Sequence, residues 1–172
     1  MARLLALSER EGLSPERQQT YDYLMETRGR VGGVWGVLLR SPEMALRGAQ
    51  LGSYLRFDSP VDRKAREIAA IVASLELDNA GEANNHSRQA KEFGVAEDAV
   101  DALWKRDRSG LKGGDALAAK TANELITTHK LSDDTWNAAM KEWGEEGLVD
   151  MIGVIGYFAM LAYFYNAVGL ND

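Results

Sequence analysis

Apolar residues recur along most of this chain at intervals of three and four, the repeat of a helix with one buried side. The clearest run is Val61, Ala65, Ile68, Ala69, Val72 and Leu75. Helix starts are punctuated as well. Ser14-Pro15, Ser41-Pro42 and Ser59-Pro60 each set a capping hydroxyl before a proline at the first helical position. Glu16, Glu43 and Asp62 follow, where a carboxylate meets the positive end of the helix dipole. Ser132-Asp133-Asp134 is a fourth start. These signals predict helices over about 14–28, 42–55, 60–77 and 132–143. Gly94 predicts the end of a helix over 79–93. Val100, Leu103 and Trp104 mark one over 96–107, and Leu117, Thr121, Leu125 and Thr128 mark one over 115–129. The stretch from Ser109 to Gly114 reads as the loop between them, and a last helix is predicted over 145–168. The β-like run Val31–Leu39 holds three glycines and reads as a loop turning into a short helix. The expected class is all-α: a single-domain bundle of seven or eight helices, with residues 1–30 as a helical extension on a core over 31–170.

Composition narrows the function classes. The chain of 172 residues has no cysteine, which removes disulfides, thiolate metal sites, thiol nucleophiles and thiol peroxidase chemistry. Twenty basic against 26 acidic residues leave a net charge of −6, the wrong sign for a nucleic-acid partner. The opening Met1–Leu7 is too short and too soon interrupted by Glu9, Arg10 and Glu11 for a signal peptide, so a cytoplasmic protein is expected. Met151 to Leu170 carries no charge and has the length of a membrane span. Its glycines, Asn166 and its acidic flanks without a lysine or arginine anchor favour a buried or subunit-interface helix instead. Trp104, Trp136, Met140 and Trp143 read as core or interface, and an apolar last helix points to a homo-oligomer.

The candidate chemistry gathers around one histidine. Asn79, Glu82 and His86 lie at i, i+3 and i+7 and share one helix face. A carboxylate one turn before a histidine orients the imidazole and stabilises its protonated form. The preceding helix carries Arg66-Glu67, and antiparallel packing brings Glu67 toward His86. By spacing alone, a Glu–His pair one turn apart also arises on solvated helix faces. The other histidine, His129, sits at a helix end, where a cation is explained by the dipole. A metal site is not expected, because neither a His-x-x-x-His nor a Glu-x-x-His pairing occurs.

Leu39-x-Ser-Pro-Glu-Met-Ala45, Arg66-Glu67, Glu82-x-x-x-His86 and Ala90-x-x-x-Gly94 together resemble the carboxymuconolactone decarboxylase family. Ile155-Gly-Tyr157 and Asn166-Ala-Val-Gly169 resemble its final helix, so the likeness runs from about Arg28 to Gly169. The nineteen residues from Glu67 to His86 match the Glu-to-His spacing of the alkylhydroperoxidase D-like branch. The two cysteines of that branch are here Asn79 and Glu82, so its disulfide chemistry is ruled out; the decarboxylase branch commonly has Glu at the second position. The aromatic that often follows that Glu is here Ala83.

The resemblance implies a cofactor-free lyase acting on a small unsaturated lactone or enolisable carboxylate. In such a substrate the conjugated carbonyl accepts the electrons left by departing CO2, so no external electron sink is needed. His86 is the expected general acid, with Glu82 holding or tuning it and Glu67 as relay or orienting group. Arg56 is the expected partner of the substrate carboxylate, Trp35 and Tyr54 the apolar wall, and Asn79 a further substrate contact. A lactone isomerase or hydrolase using the same histidine, and a non-enzymatic small-molecule-binding oligomer, are the alternatives. The resemblance implies a trimer or hexamer.

Overall fold

The computed structural model describes residues 2–170. Among these residues it is all-helical, with eight helices and no strand: α1 (Pro15–Arg28), α2 (Gly33–Leu38), α3 (Pro42–Phe57), α4 (Arg63–Glu76), α5 (Ala80–Glu92), α6 (Glu97–Trp104), α7 (Gly113–Thr128) and α8 (Asp133–Val168). They fall into two compact units, Met1–Asp58 with Phe164–Asp172, and Ser59–Tyr163.

In the first unit, Leu24, Leu39 and Ala49 form the buried centre, and Leu7, Leu13, Tyr21, Tyr23, Val31 and Trp35 pack against it. The glycine-bearing run did become a short helix, α2. Its Gly36 lies under the N-terminal strap: Leu7 N–H donates to Gly36 O at 2.9 Å. A Cβ at Gly36 would stand 2.7 Å from both Ala6 Cβ and Leu7 O, so only glycine admits the strap.

The second unit is organised around α4, which packs on α5, α6 and α7. Every residue of α4 from Ala65 to Leu75 is buried. Ala65, Ala69, Ala70 and Ala73 let neighbouring backbones approach closely, while Ile68, Ile71 and Val72 supply volume. On α7 the small buried face is Ala118, Ala119, Thr121 and Ala122.

The helix starts need one correction. Ser14 and Ser41 are the N-caps of α1 and α3, yet neither side chain makes the capping bond. At the third site the helix begins later than Ser59-Pro60. Ser59 Oγ accepts from Val61 N–H in a local turn, and Asp62 caps α4, accepting from the backbone N–H of Lys64 at 2.9 Å and Ala65 at 3.3 Å. A carboxylate that satisfies two of the orphan amides outcompetes a hydroxyl three residues upstream. The segments expected over 132–143 and 145–168 are the two helical halves of α8, which meet at a kink at Gly144, whose φ of 67° and ψ of −173° suit glycine alone. Among the described residues α8 alone is long and apolar enough to cross a membrane, and 56% of its most apolar window is buried inside the protein.

Candidate active site

Two consecutive helices, α4 and α5, form the frame of the site. The turn between them is tightly bonded. Asp78 takes a left-handed conformation (φ 54°), and Asn79 N–H donates to Ser74 O at 2.8 Å. Asn79 then caps α5, its Oδ1 accepting from Glu82 N–H at 3.2 Å. Arg106 donates to Leu75 O at 2.9 Å, and Arg108 is bonded to Glu76, so the loop after α6 clasps the end of α4.

The tight turn returns the chain antiparallel, and the helical repeat then sets Glu67 of α4 opposite His86 of α5. Glu67 Oε2 lies 2.5 Å from His86 Nδ1. On the other side of the ring, Glu82 Oε2 lies 3.6 Å from Nε2. Phe158 of α8 meets the imidazole nearly perpendicularly, with ring centroids 4.3 Å apart, and Tyr157 stacks edgewise on Phe158 at 5.3 Å. Glu67 and His86 are buried, at 8% and 5% exposure, which removes the solvated-face alternative.

These neighbours decide the charge on the ring. Burial acts against the imidazolium, but the hydrogen bond to Glu67 and the negative charges of Glu67 and Glu82 outweigh it. The His86 pKa is therefore raised above its ordinary value. A protonated ring donates from both nitrogens. The two sides are unequal: Nδ1–H is anchored at 2.5 Å, whereas 3.6 Å is beyond a hydrogen bond. The site is thus an imidazolium held at one nitrogen and loosely companioned at the other.

A second buried charge lies next in sequence. Arg66 is 6% exposed, and burial lowers its pKa against the opposing pull of Glu67 and Asp150. Asp150 of α8, which in sequence is one of the acidic flanks of an apolar run, is itself buried.

Of the residues expected at the site, the structure brings Glu67, Glu82 and His86 together, with Asn79 on the same helix face. Trp35, Tyr54 and Arg56 belong to the first unit. There Arg28 stands over the Trp35 ring at 4.4 Å, Arg56 stands 5.2 Å over Phe57, and Tyr54 is exposed on α3. Trp104 donates to Ser87 Oγ at 2.9 Å, one residue from the catalytic candidate. Phe158 is the residue that sequence reasoning missed. It sits in an uncharged, aromatic-rich stretch where nothing distinguishes it from Tyr157 or Phe164. Among the described residues no group of three or more His, Asp or Glu side chains is arranged to hold a metal ion.

The model of the carboxymuconolactone decarboxylase family matches residues 42–122, the segment that holds Glu67, Glu82 and His86. No curated protein sequence matches the chain. Among solved structures, an uncharacterized peroxidase-related protein from Silicibacter sp. TM1040 superposes with a TM-score of 0.77 at 16% identity, covering 98% of this chain and 90% of that one. The debrominase Bmp8 superposes with a TM-score of 0.75 at 15% identity, covering 96% and 90%. A cysteine-to-alanine variant of Bmp8 in complex with 2,3,4-tribromopyrrole gives 0.74 at 14% identity with the same coverage. At these identities the likeness establishes the fold, which is alkylhydroperoxidase D-like. Over residues 42–122 this chain is similar to the carboxymuconolactone decarboxylase family, and it carries no cysteine.

Proposed function

We propose that the protein is a cofactor-free lyase that uses His86 as a proton donor to a small unsaturated lactone or enolisable carboxylate. The observation that carries this reading is the buried Glu67–His86–Glu82 array, with its short bond at Nδ1 and its open geometry at Nε2. In the decarboxylation, the bond from carbon to the carboxylate breaks and CO2 departs. The electron pair flows through the conjugated C=C to the lactone carbonyl and forms a dienolate. His86 Nε2–H then protonates carbon, which collapses the dienolate and leaves a neutral imidazole. Glu67 keeps the ring in place throughout, and Glu82, at 3.6 Å, is placed to return a proton from solvent to Nε2. The Phe158 edge lowers the local dielectric, which strengthens each of these interactions. Asn79, on the same helix face as His86, enters this reading as a substrate contact.

The debrominase activity of Bmp8 is not transferred here, because the variant in its complex exchanges a cysteine and this chain has none. The test is turnover of a panel of unsaturated γ-lactone carboxylates by the wild type, His86→Ala and His86→Gln. Loss of a positioned general acid lowers the rate by about 10²–10⁴-fold. Unchanged turnover in both variants sinks the assignment. CO2 release distinguishes decarboxylation from isomerisation or hydrolysis by the same residue, and binding without turnover by the wild type marks a non-enzymatic binder.

A further inference from the structure

The α4–α5 hairpin carries a second polar pair that the chemistry above does not use. Ser74 and Asn79 are both 0% exposed. Ser74 Oγ and Asn79 Nδ2 are buried without a hydrogen-bond partner. A serine inside a helix ordinarily turns its hydroxyl onto the carbonyl four residues back, as Ser87 does onto Ala83 O at 2.7 Å. Ser74 does not. Asn79 uses only its Oδ1, on Glu82 N–H, and leaves the amide nitrogen unspent. Orphaned polar atoms in a native core are uncommon and mark a missing partner or a functional role.

Their position is set by the same register that builds the site. On α4, Glu67, Ile71 and Ser74 share one face at i, i+4 and i+7; His86 and Ala83 of α5 share a face that runs back to its N-cap, Asn79. The Glu67–His86 contact pins one end of this seam, and the bond from Asn79 N–H to Ser74 O pins the other. Seven residues of helix separate the ends, about 10 Å at 1.5 Å per residue. Helical side chains lean toward the N-terminus, so the imidazole leans along α5 toward Asn79 and shortens the gap. Ile71 and Ala83, both inaccessible to solvent, make the stretch between apolar.

We propose that Ser74 Oγ and Asn79 Nδ2 form an oxygen-recognition point for a carbonyl or carboxylate group at the far end of the substrate whose reacting carbon meets His86. The proposal rests on the reading of His86 as proton donor and adds the shape of the substrate: two-ended, apolar in the middle, with a second oxygen function several bonds from the carbon that is protonated. The donors are a hydroxyl and an amide, so recognition at this end is by hydrogen bonds.

The experiment compares Ser74→Ala, Asn79→Ser and Asn79→Asp. Both Asn79 variants keep an N-capping acceptor for α5 while removing the Nδ2 donor. Two readouts are taken: Tm of the ligand-free chain, and calorimetric Kd for the lactone carboxylate panel in a His86→Ala background. The expected result is a Tm for Ser74→Ala that is unchanged or raised, because no protein hydrogen bond is lost. The Kd is expected to weaken about five- to tenfold for Ser74→Ala and Asn79→Ser. A Tm that falls by several degrees with Kd unchanged overturns the proposal. So does a ligand-free crystal structure with one ordered water bonded to both atoms. If no panel member binds the wild type, the functional reading fails by itself. The Tm of Ser74→Ala then decides the oxygen site alone, a fall overturning it and constancy or a rise upholding it.

Discussion

Glu67→Gln is the substitution that most directly probes how the site is charged. It keeps the shape of the side chain and removes its negative charge, leaving the His86 Nδ1–H facing a neutral amide. The contact being weakened is a buried, charge-assisted hydrogen bond of 2.5 Å. Bonds of this class contribute about 1.5–3 kcal/mol. Burial, the largest influence on the ring, already favours the neutral form, and Glu82 alone remains to oppose it. The His86 pKa therefore falls in the variant. The sign of the stability change follows. In the wild type the folded pKa is raised above the ordinary histidine value, so the array stabilises the fold fully below that value. That contribution is lost as pH rises through the raised folded pKa. In Glu67→Gln the folded pKa drops, and the variant is less stable than the wild type most clearly at acidic pH.

The assay is a proton–carbon NMR titration of the histidine Cε1 resonances. The chain has two histidines, so a His129→Ala background leaves His86 as the sole signal. Urea unfolding at several pH values gives the stability arm. Because two carboxylates stand beside the His86 ring, the comparison between variant and wild type carries the argument. An unchanged or raised midpoint in Glu67→Gln refutes the claim that this carboxylate holds the ring protonated.

Three further outcomes test the fold and the assembly. Gly36→Ala forces Ala6 and Leu7 away from α2, because its Cβ would stand 2.7 Å from strap atoms. It should cost about 1–3 kcal/mol in urea unfolding, whereas Gly156→Ala, which meets nothing within 4 Å on α8, should gain about 0.5–1 kcal/mol. Asp62→Ala removes a cap with two backbone bonds and should lower stability by about 1 kcal/mol. Ser14→Ala, which loses no such bond, should fall within about 0.5 kcal/mol of the wild type. Val149, Ile152 and Tyr163 form an exposed apolar row on α8, which we read as the contact with further copies of the chain. Light scattering of the wild type should give a trimer or hexamer and Val149→Glu a smaller species; a monomeric wild type refutes this.

Much of the site was legible because it depends on local periodicity. Two adjoining helices with a tight turn leave little freedom in register, so a nineteen-residue separation already sets Glu67 opposite His86. Glu82 follows from the helical repeat alone. Cap positions were legible for the same reason, but their bonds were not. Serine hydroxyls and aspartate carboxylates compete within a few residues, and at Ser59–Asp62 the winner is decided by which group reaches two amides at once. Phe158 lies seventy-two positions along the chain from His86, in a run whose every third or fourth residue is apolar on all sides. Contacts across that distance depend on tertiary packing, for which single-sequence periodicity carries no signal. The burial of Asp150 was hidden in the same way: an acidic residue beside an apolar segment reads as a flank until the fold buries it within electrostatic reach of Arg66.

The absence of thiols changes what the shared fold can do at this place. A dithiol pair works by electron transfer between sulfurs and needs a base nearby to make the thiolate. Here Asn79 and Glu82 occupy the corresponding helix face, and neither undergoes redox chemistry. The proton chemistry proposed above needs no thiol, and the geometry is consistent with it. A histidine serving as base to a thiol has to be neutral to take a proton, whereas two carboxylates raise the pKa of this ring and favour its charged form. A buried imidazolium compensated by Glu67 on one side and loosely met by Glu82 on the other is already loaded with the proton it would give. On the proposed reading, the asymmetry between 2.5 Å and 3.6 Å selects Nε2 as the nitrogen that gives it. A substrate that supplies its own electron sink and lacks only a proton is the chemical complement of such a site.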